Sequence, residues 1–260
     1  MSSTDPVRVE REGPLAVVTL DAPPLNLFDE PMLLGLRAAI DGLAAQPPRG
    51  VLFRAEGRVV SGGVDVHLFH GLSPTDAAEL WRDLLALIDR VESLPCPTVF
   101  AAHALCLTAA FELSLACDLL LAAHSARFGL VEIVVGLTPA MGGTQRLAQR
   151  AGPARAREFV MTGELYDAAT LERWNVVNRV LADDGFDDAA RAFAARLANG
   201  PTKAHAATKA IVRRAMQGGI GAADAAVPEL ASGLFATDDL KNAVRSFLEQ
   251  GPGKATYQGR

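Results

Sequence analysis

The sequence predicts an α/β fold in which strands and helices alternate up to about residue 186. Two observations carry this reading. Three short runs, V-L-F-R-A (residues 51–55), T-V-F-A-A (98–102) and L-L-L-A-A (119–123), have the length and apolar make-up of buried strands. Between them lie segments whose apolar residues recur at helical spacing and stop at prolines. Strand, helix, strand in this order gives stacked β/α crossover units with their connections on one face.

Each element has its own signal. V-R-V-E (residues 7–10) and L-A-V-V-T-L (15–20) read as a hairpin turning at R-E-G-P. Residues 31–45 form a helix stopped by Pro47 and Pro48. Residues 74–94 form an amphipathic helix, with Ser73 or Thr75 as N-cap and Pro95 as its stop. The helix between the strands at 98–102 and 119–123 must be short. After Phe186 the texture changes. Residues 187–199, 201–217, 222–235 and 238–250 read as helices separated by N-G-P, Q-G-G-I-G and A-T-D-D. The division is therefore a core over residues 1–186 and a helical region over 187–260, whose apolar faces call for self-association.

Composition narrows the function. Half of the 260 residues are hydrophobic and 21% are charged, as in an ordinary globular chain. A net charge of −5 favours neither nucleic acid nor an anionic membrane surface. Cys96, Cys106 and Cys117 sit in apolar contexts without a C-x-x-C pair, which reads as reduced core cysteine in a cytoplasmic protein. The segment M-S-S-T-D-P-V-R-V-E has no apolar region of the kind a secretion signal needs. Residues 99–123 are long and apolar, but His103, Glu112 and Asp118 lie among them, so a membrane span is not expected.

Two glutamates stand out. Glu112 and Glu132 both interrupt segments apolar enough to be core. An unpaired buried carboxylate costs several kcal/mol, roughly, so two of them imply a use. Carboxyls with shifted pKa values are natural general acids and bases near neutral pH. The expectation is a pair facing one reacting centre.

Five motifs in register then resemble the enoyl-CoA hydratase/isomerase, or crotonase, superfamily. They are P-P-L-N-L (residues 23–27), R-V-V-S-G-G-V-D-V (58–66), F-E-L-S-L-A-C-D (111–118), A-R-F-G-L-V-E-I-V-V-G-L-T-P-A-M-G-G-T-Q-R-L (126–147) and F-A-T-D-D (235–239). The resemblance implies a spiral core of β-β-α turns and a C-terminal helical region that builds trimers or dimers of trimers. An acyl-CoA thioester is the implied ligand, with no separate cofactor and no metal. Glu112 would activate water for attack on Cβ, and Glu132 would deliver a proton to Cα. The backbone N–H groups of Val64 and Ala109 would form the oxyanion hole. Asn26, Leu27, Arg58, Ser61, Gly62, Gly63, Asp65, Val66 and Lys254 match substrate- or CoA-binding positions, with Arg58 and Lys254 near the nucleotide. The implied reaction is addition of water to a 2-enoyl-CoA, with a Δ3,Δ2-enoyl-CoA isomerase as the alternative. An acyl-CoA-binding member with lost or altered catalysis is the third reading.

Several positions depart from the common pattern. Thr108-Ala109-Ala110 replaces G-G-G, Val64 replaces a smaller residue, Val131 replaces a proline, and Met141 stands where glycine is frequent. Alanine at 109 tolerates positive φ poorly. The residues alone also leave structural readings open. Glu112 in a first turn would suit the helix dipole, and Glu132 would pair with Arg127 or Arg146. Asp65 and Asp118 read as caps or pairing partners. Asp65, His67 and His70 form D-x-H-x-x-H, which reads as a solvated helix start rather than a metal site. Arg146, Arg150, Arg155 and Arg157 read as a solvated helical face, as do Lys203, Lys209, Arg213 and Arg214.

Overall fold

The computed structural model describes residues 5–260. Residues 1–4, the start of the segment read for a secretion signal, lie outside them. Strands β1 (Val7–Glu12) and β2 (Leu15–Leu20) form the expected hairpin, with Gly13 at φ 60° in the turn. Helix α1 (Glu30–Ala45) is capped by Asp29, whose side chain accepts from the N–H of Met32. Strand β3 (Gly50–Ala55) follows, then α2 (Pro74–Ser93), where Ser73 and Asp76 make a reciprocal capping box. Next come β4 (Thr98–Ala102), the two-residue β5 (Cys106–Leu107), α3 (Thr108–Ala116), β6 (Leu119–Ala123) and β7 (Arg127–Gly129).

Helices α4 (Gly143–Ala151) and α5 (Pro153–Thr162), strand β8 (Tyr166–Asp167), helix α6 (Ala168–Arg173) and strand β9 (Arg179–Leu181) complete the core. The tail holds α7 (Phe186–Ala198), α8 (Thr202–Ser232) and α9 (Asp238–Gln250). The break expected at Q-G-G-I-G falls inside α8 at Gly219, whose φ of 76° and ψ of 178° interrupt the helix.

The main sheet runs β1-β2-β3-β4-β6-β9, all parallel after the first hairpin. A second, smaller sheet has the order β5-β7-β8. Isolated parallel bridges Phe28–Val64 and Ser61–Cys106 extend its course toward the N-terminus. A repeat becomes visible: a main-sheet strand, a short cross-strand or bridge, then a helix. It recurs as β2, Phe28, α1; β3, Ser61 to Val64, α2; β4, β5, α3; and β6, β7, α4. Helices α1 to α4 touch in sequence order, so the windings stack as a spiral.

Burial explains the strands. Every residue of β2 and β4 is buried, as a sheet covered on both faces requires. Phe53 and Phe100 are register partners with no exposed surface, each contributing about 1.5–3 kcal/mol by burial. Helix α7 lies against β2, β3 and β4 through Phe186, Ala190, Ala194 and Ala198. Beyond it, Ile220, Phe235, Phe247 and Leu248 of the tail are exposed. Among the described residues, no helix is long and apolar enough to cross a membrane.

Several basic residues read as solvated are structural. Arg146 grips Glu92 through two nitrogens at 2.8 and 2.6 Å. Arg150 is largely buried and donates to the carbonyls of Leu115, Cys117 and Val176, tying down the end of α3. Lys209 pairs with Asp118 at 2.7 Å and donates to the Cys96 carbonyl. Paired charges pull these side chains out of solvent.

Candidate active site

The second, third and fourth windings bring their loops to one cavity. Glu112 is 2% exposed and is the fifth residue of α3. The expected first-turn position is thus corrected, and the dipole of α3 is not its partner. Instead Gly143, the first residue of α4, donates its N–H to Glu112 Oε2 at 2.7 Å. Helix starts offer such unpaired donors and favour negative charge. Glycine permits the approach, because a Cβ at 143 would lie 2.6 Å from Glu112 Cγ.

Glu132 opens the 3-10 turn Glu132–Val135. Its Oε2 is buried and has no hydrogen-bond partner among the described residues. The alternative pairings do not form: Arg146 is held by Glu92, and Arg127 donates to the carbonyls of Ser125 and Ala126. Burial pushes the Glu112 carboxyl up to about 8, helped by the charge of Glu132 and opposed by the N–H groups of Gly143 and Met141. Burial likewise raises Glu132 to about 7.

Both glutamates line a narrow cavity of about 30 Å³. Apart from them and Thr138, every lining side chain is apolar, including Phe28, Leu33, Leu80 and Leu84. Phe69 and Trp81 meet in its wall with ring centres 5.5 Å apart, and the buried Met141 also lines it. A lining of this kind suits an apolar chain whose one reactive end meets two carboxyls.

The loop before the second helix is braced from within. Buried Asn26 spends its amide nitrogen on the carbonyls of Glu56, Val59 and Val60, and its side-chain oxygen accepts from Ala22. Ser61 Oγ donates to the Asn26 carbonyl and accepts from the Gly63 N–H. Asn26 and Ser61 therefore hold the loop; their polar side-chain atoms are committed to backbone. Leu27 is half-buried and packs toward Gly62. Asp65 caps the turn Val66–Phe69 by accepting from the His67 N–H, and it also bonds the His67 ring, which lowers its pKa. Val66 is exposed at the start of that turn.

Val64 N–H is already engaged. It donates to Thr108 Oγ1 at 3.0 Å. Thr108 holds φ at +44°, so the strained residue of Thr108-Ala109-Ala110 is the threonine, one position before the expected alanine. Ala109 is fully buried in the first turn of α3, ahead of any intrahelical acceptor for its N–H. Arg58 and Lys254 are both exposed but are not brought together. Lys254 shortly precedes Tyr257, whose carbonyl accepts from Arg49 just before β3, whereas Arg58 follows the far end of that strand.

Gly143 and Thr108 were absent from the sequence-derived site. For Gly143 a signal existed, since paired glycines immediately precede the helical pattern of T-Q-R-L. Thr108 showed only as a departure in a motif, and its partner came from a different winding.

A stacked β-β-α spiral that brings buried Glu112 and half-buried Glu132 to one apolar cavity is an architecture of the crotonase type. Residues 10–259 match the Enoyl-CoA hydratase/isomerase family, and the chain belongs to it. It is 30% identical over 260 residues to a protein of Rhizobium meliloti named "Probable enoyl-CoA hydratase", covering 99% of this chain and 100% of that one. An equivalently named Mycobacterium tuberculosis protein is 29% identical over 254 residues, covering 97% and 98%. Among solved structures, enoyl-CoA hydratase subunit I of Geobacillus kaustophilus superposes with a TM-score of 0.91 at 29% identity, covering 98% of both chains. The Mycobacterium smegmatis enoyl-CoA hydratase gives 0.88 at 27%, covering 94% and 96%.

Proposed function

We propose that the protein adds water across the double bond of a 2-enoyl-CoA thioester. The observation that carries this reading is the pair of carboxyls, buried Glu112 and half-buried Glu132, facing one otherwise apolar cavity. Ionised Glu112 takes a proton from water as its oxygen bonds to Cβ. The electron pair of the double bond moves toward the thioester oxygen, where N–H donors stabilise it. Protonated Glu132 then supplies the proton to Cα.

The assignment of acid and base rests on hydrogen bonds. Repulsion between two carboxylates is mutual and raises whichever ionises second. Deeper burial alone would leave the proton on Glu112. Its Oε2, however, accepts from Gly143, while Glu132 Oε2 has no donor among the described residues. A donor stabilises the carboxylate, so the shared proton belongs on Glu132. An isomerase moving a 3-enoyl double bond would need one acid/base and would leave the braced Glu112 without a role.

Arg58 is the basic residue proposed to meet the CoA nucleotide. The exposed apolar faces of α8 and α9 are proposed to join copies of the chain. Turnover with short and medium 2-enoyl-CoA substrates, with product identified by mass, tests the reaction. A gain of one water supports it; a mass-neutral shift of the double bond in the matching 3-enoyl-CoA replaces it with the isomerase.

A further inference from the structure

Thr108 is held in a conformation that a β-branched residue avoids. At φ +44° it occupies the left-handed region, which is costly outside glycine and persists only where the surroundings enforce it. The surroundings do enforce it. Gly63, at φ 108°, leaves the space that the side chain fills: a Cβ at 63 would lie 2.6 Å from Thr108 Oγ1. The hydroxyl so placed accepts the N–H of Val64 at 3.0 Å. Val64 and Thr108 are 44 residues apart and belong to neighbouring windings. One residue beyond Thr108 is Ala109, whose N–H has no acceptor among the described residues, and one turn beyond is Glu112.

A backbone N–H makes one strong hydrogen bond, so a thioester oxygen cannot take Val64's donor while Thr108 holds it. A hydroxyl, in contrast, accepts and donates at once. Thr108 Oγ1 accepts from Val64, and its own proton has no acceptor among the described residues. We infer that the Thr108 hydroxyl relays the Val64 donor: the thioester oxygen receives its hydrogen bonds from the Thr108 O–H and the Ala109 N–H. Donation by Val64 polarises the hydroxyl and strengthens the bond it gives in turn. The oxyanion hole of this chain is then one side-chain donor and one backbone donor. The reacting carbonyl then sits displaced from Val64 by about the width of a hydroxyl. The inference rests on the acyl-CoA reading above and adds the group that meets the carbonyl.

The test uses the full chain with a saturated acyl-CoA, 13C-labelled at the thioester carbonyl, and reads the carbonyl stretch by difference infrared spectroscopy. Calorimetric affinity and 2-enoyl-CoA turnover are measured beside it. Thr108→Val keeps the shape and the strain and removes the hydroxyl. Thr108→Ser keeps the hydroxyl. Thr108→Gly removes both hydroxyl and strain and guards against a misfolded valine variant. The bound carbonyl should shift to lower frequency in wild type and Thr108→Ser, and the shift should shrink in Thr108→Val and Thr108→Gly. Turnover should fall about 10²–10³-fold in the last two, the loss expected for one oxyanion donor.

A wild-type shift that survives in Thr108→Val and Thr108→Gly overturns the inference while leaving the acyl-CoA reading intact. So does a gain of turnover in Thr108→Gly, which would make the hydroxyl a plug. Failure of every acyl-CoA to bind wild type overturns the acyl-CoA reading and the inference together.

Discussion

Gly143 N and Glu112 Oε2 stand 2.7 Å apart although 31 residues separate them in the chain. The bond crosses from the third winding of the spiral to the fourth. It fixes which oxygen of Glu112 faces the cavity and turns the start of α4 into a support for negative charge.

Gly143→Ala tests that support. The new methyl would sit 2.6 Å from Glu112 Cγ and 3.0 Å from Oε2, with no flexible tip to move aside. Stability should fall by about 1–3 kcal/mol, as overpacking usually costs. Turnover should drop at least tenfold, roughly. Wild-type kinetics in the variant would mean that the carboxylate needs no such placement.

Replacing either carboxyl should be costly. Glu112→Gln and Glu132→Gln are each expected to lower turnover by about 10²–10⁴-fold. Rates within a few-fold of wild type would remove the two-carboxyl mechanism.

The pH profile follows from the pair sharing one proton. Burial raises the two groups to about 8 and about 7. Turnover should therefore be bell-shaped in kcat/KM, with its maximum at roughly pH 7–8. Below this the second carboxyl gains a proton and the base is lost. Above it the shared proton leaves and the acid is lost. A profile flat from about pH 5 to 9 contradicts the assignment.

Stability should depend on pH in the opposite sense to that of an ion-paired carboxylate. A carboxyl raised in the folded state binds protons more tightly there than in the unfolded chain. Its contribution is favourable below the unfolded value and is lost as pH rises toward the folded one. Between about pH 4.5 and 8 the Glu112–Glu132 pair, of which each member raises the other, therefore lowers stability progressively. Glu112→Gln should raise the melting temperature at pH 8 relative to wild type, with the gap closing near pH 5. A gap that widens on acidification would show that the carboxylate is stabilised by its surroundings.

Much of the site was legible because its signal was chemical. Glu112 and Glu132 were conspicuous as charges within apolar runs, and the strands read at 51–55, 98–102 and 119–123 were visible as short, largely apolar segments. Strands β5, β7, β8 and β9 were not visible, since two or three residues carry no periodicity. The environment of Arg150 also escaped, because its acceptors are backbone carbonyls at the end of α3 and before β9. Asn26 drew notice for its motif, but its amide turned out to brace a loop some 30 residues away. Spacing along the chain reports a residue's own element; it does not report which neighbouring winding will supply its partner.

The exposed tail gives a separate prediction. With Phe235, Phe247 and Leu248 uncovered in a single chain, light scattering of the intact protein should give a multiple of 27.4 kDa. Truncation after Gly200 spares α7 on the sheet and should yield monomer or aggregate. A well-behaved oligomer of the truncated chain would relocate the assembly surface.

The spiral also separates the chemistry in time and in heredity. Val64 is borne on the second winding, Ala109 and Glu112 on the third, Glu132 and Gly143 on the fourth. On the proposed roles, the chain under synthesis stays inert until the fourth winding docks, because no earlier stretch carries the complete set. On the same proposal, a change in one connecting loop alters one role, whether donor, base or acid, while the others keep their own rungs. The scaffold can therefore exchange one reaction step at a time, and Thr108 stands on the rung where this chain differs.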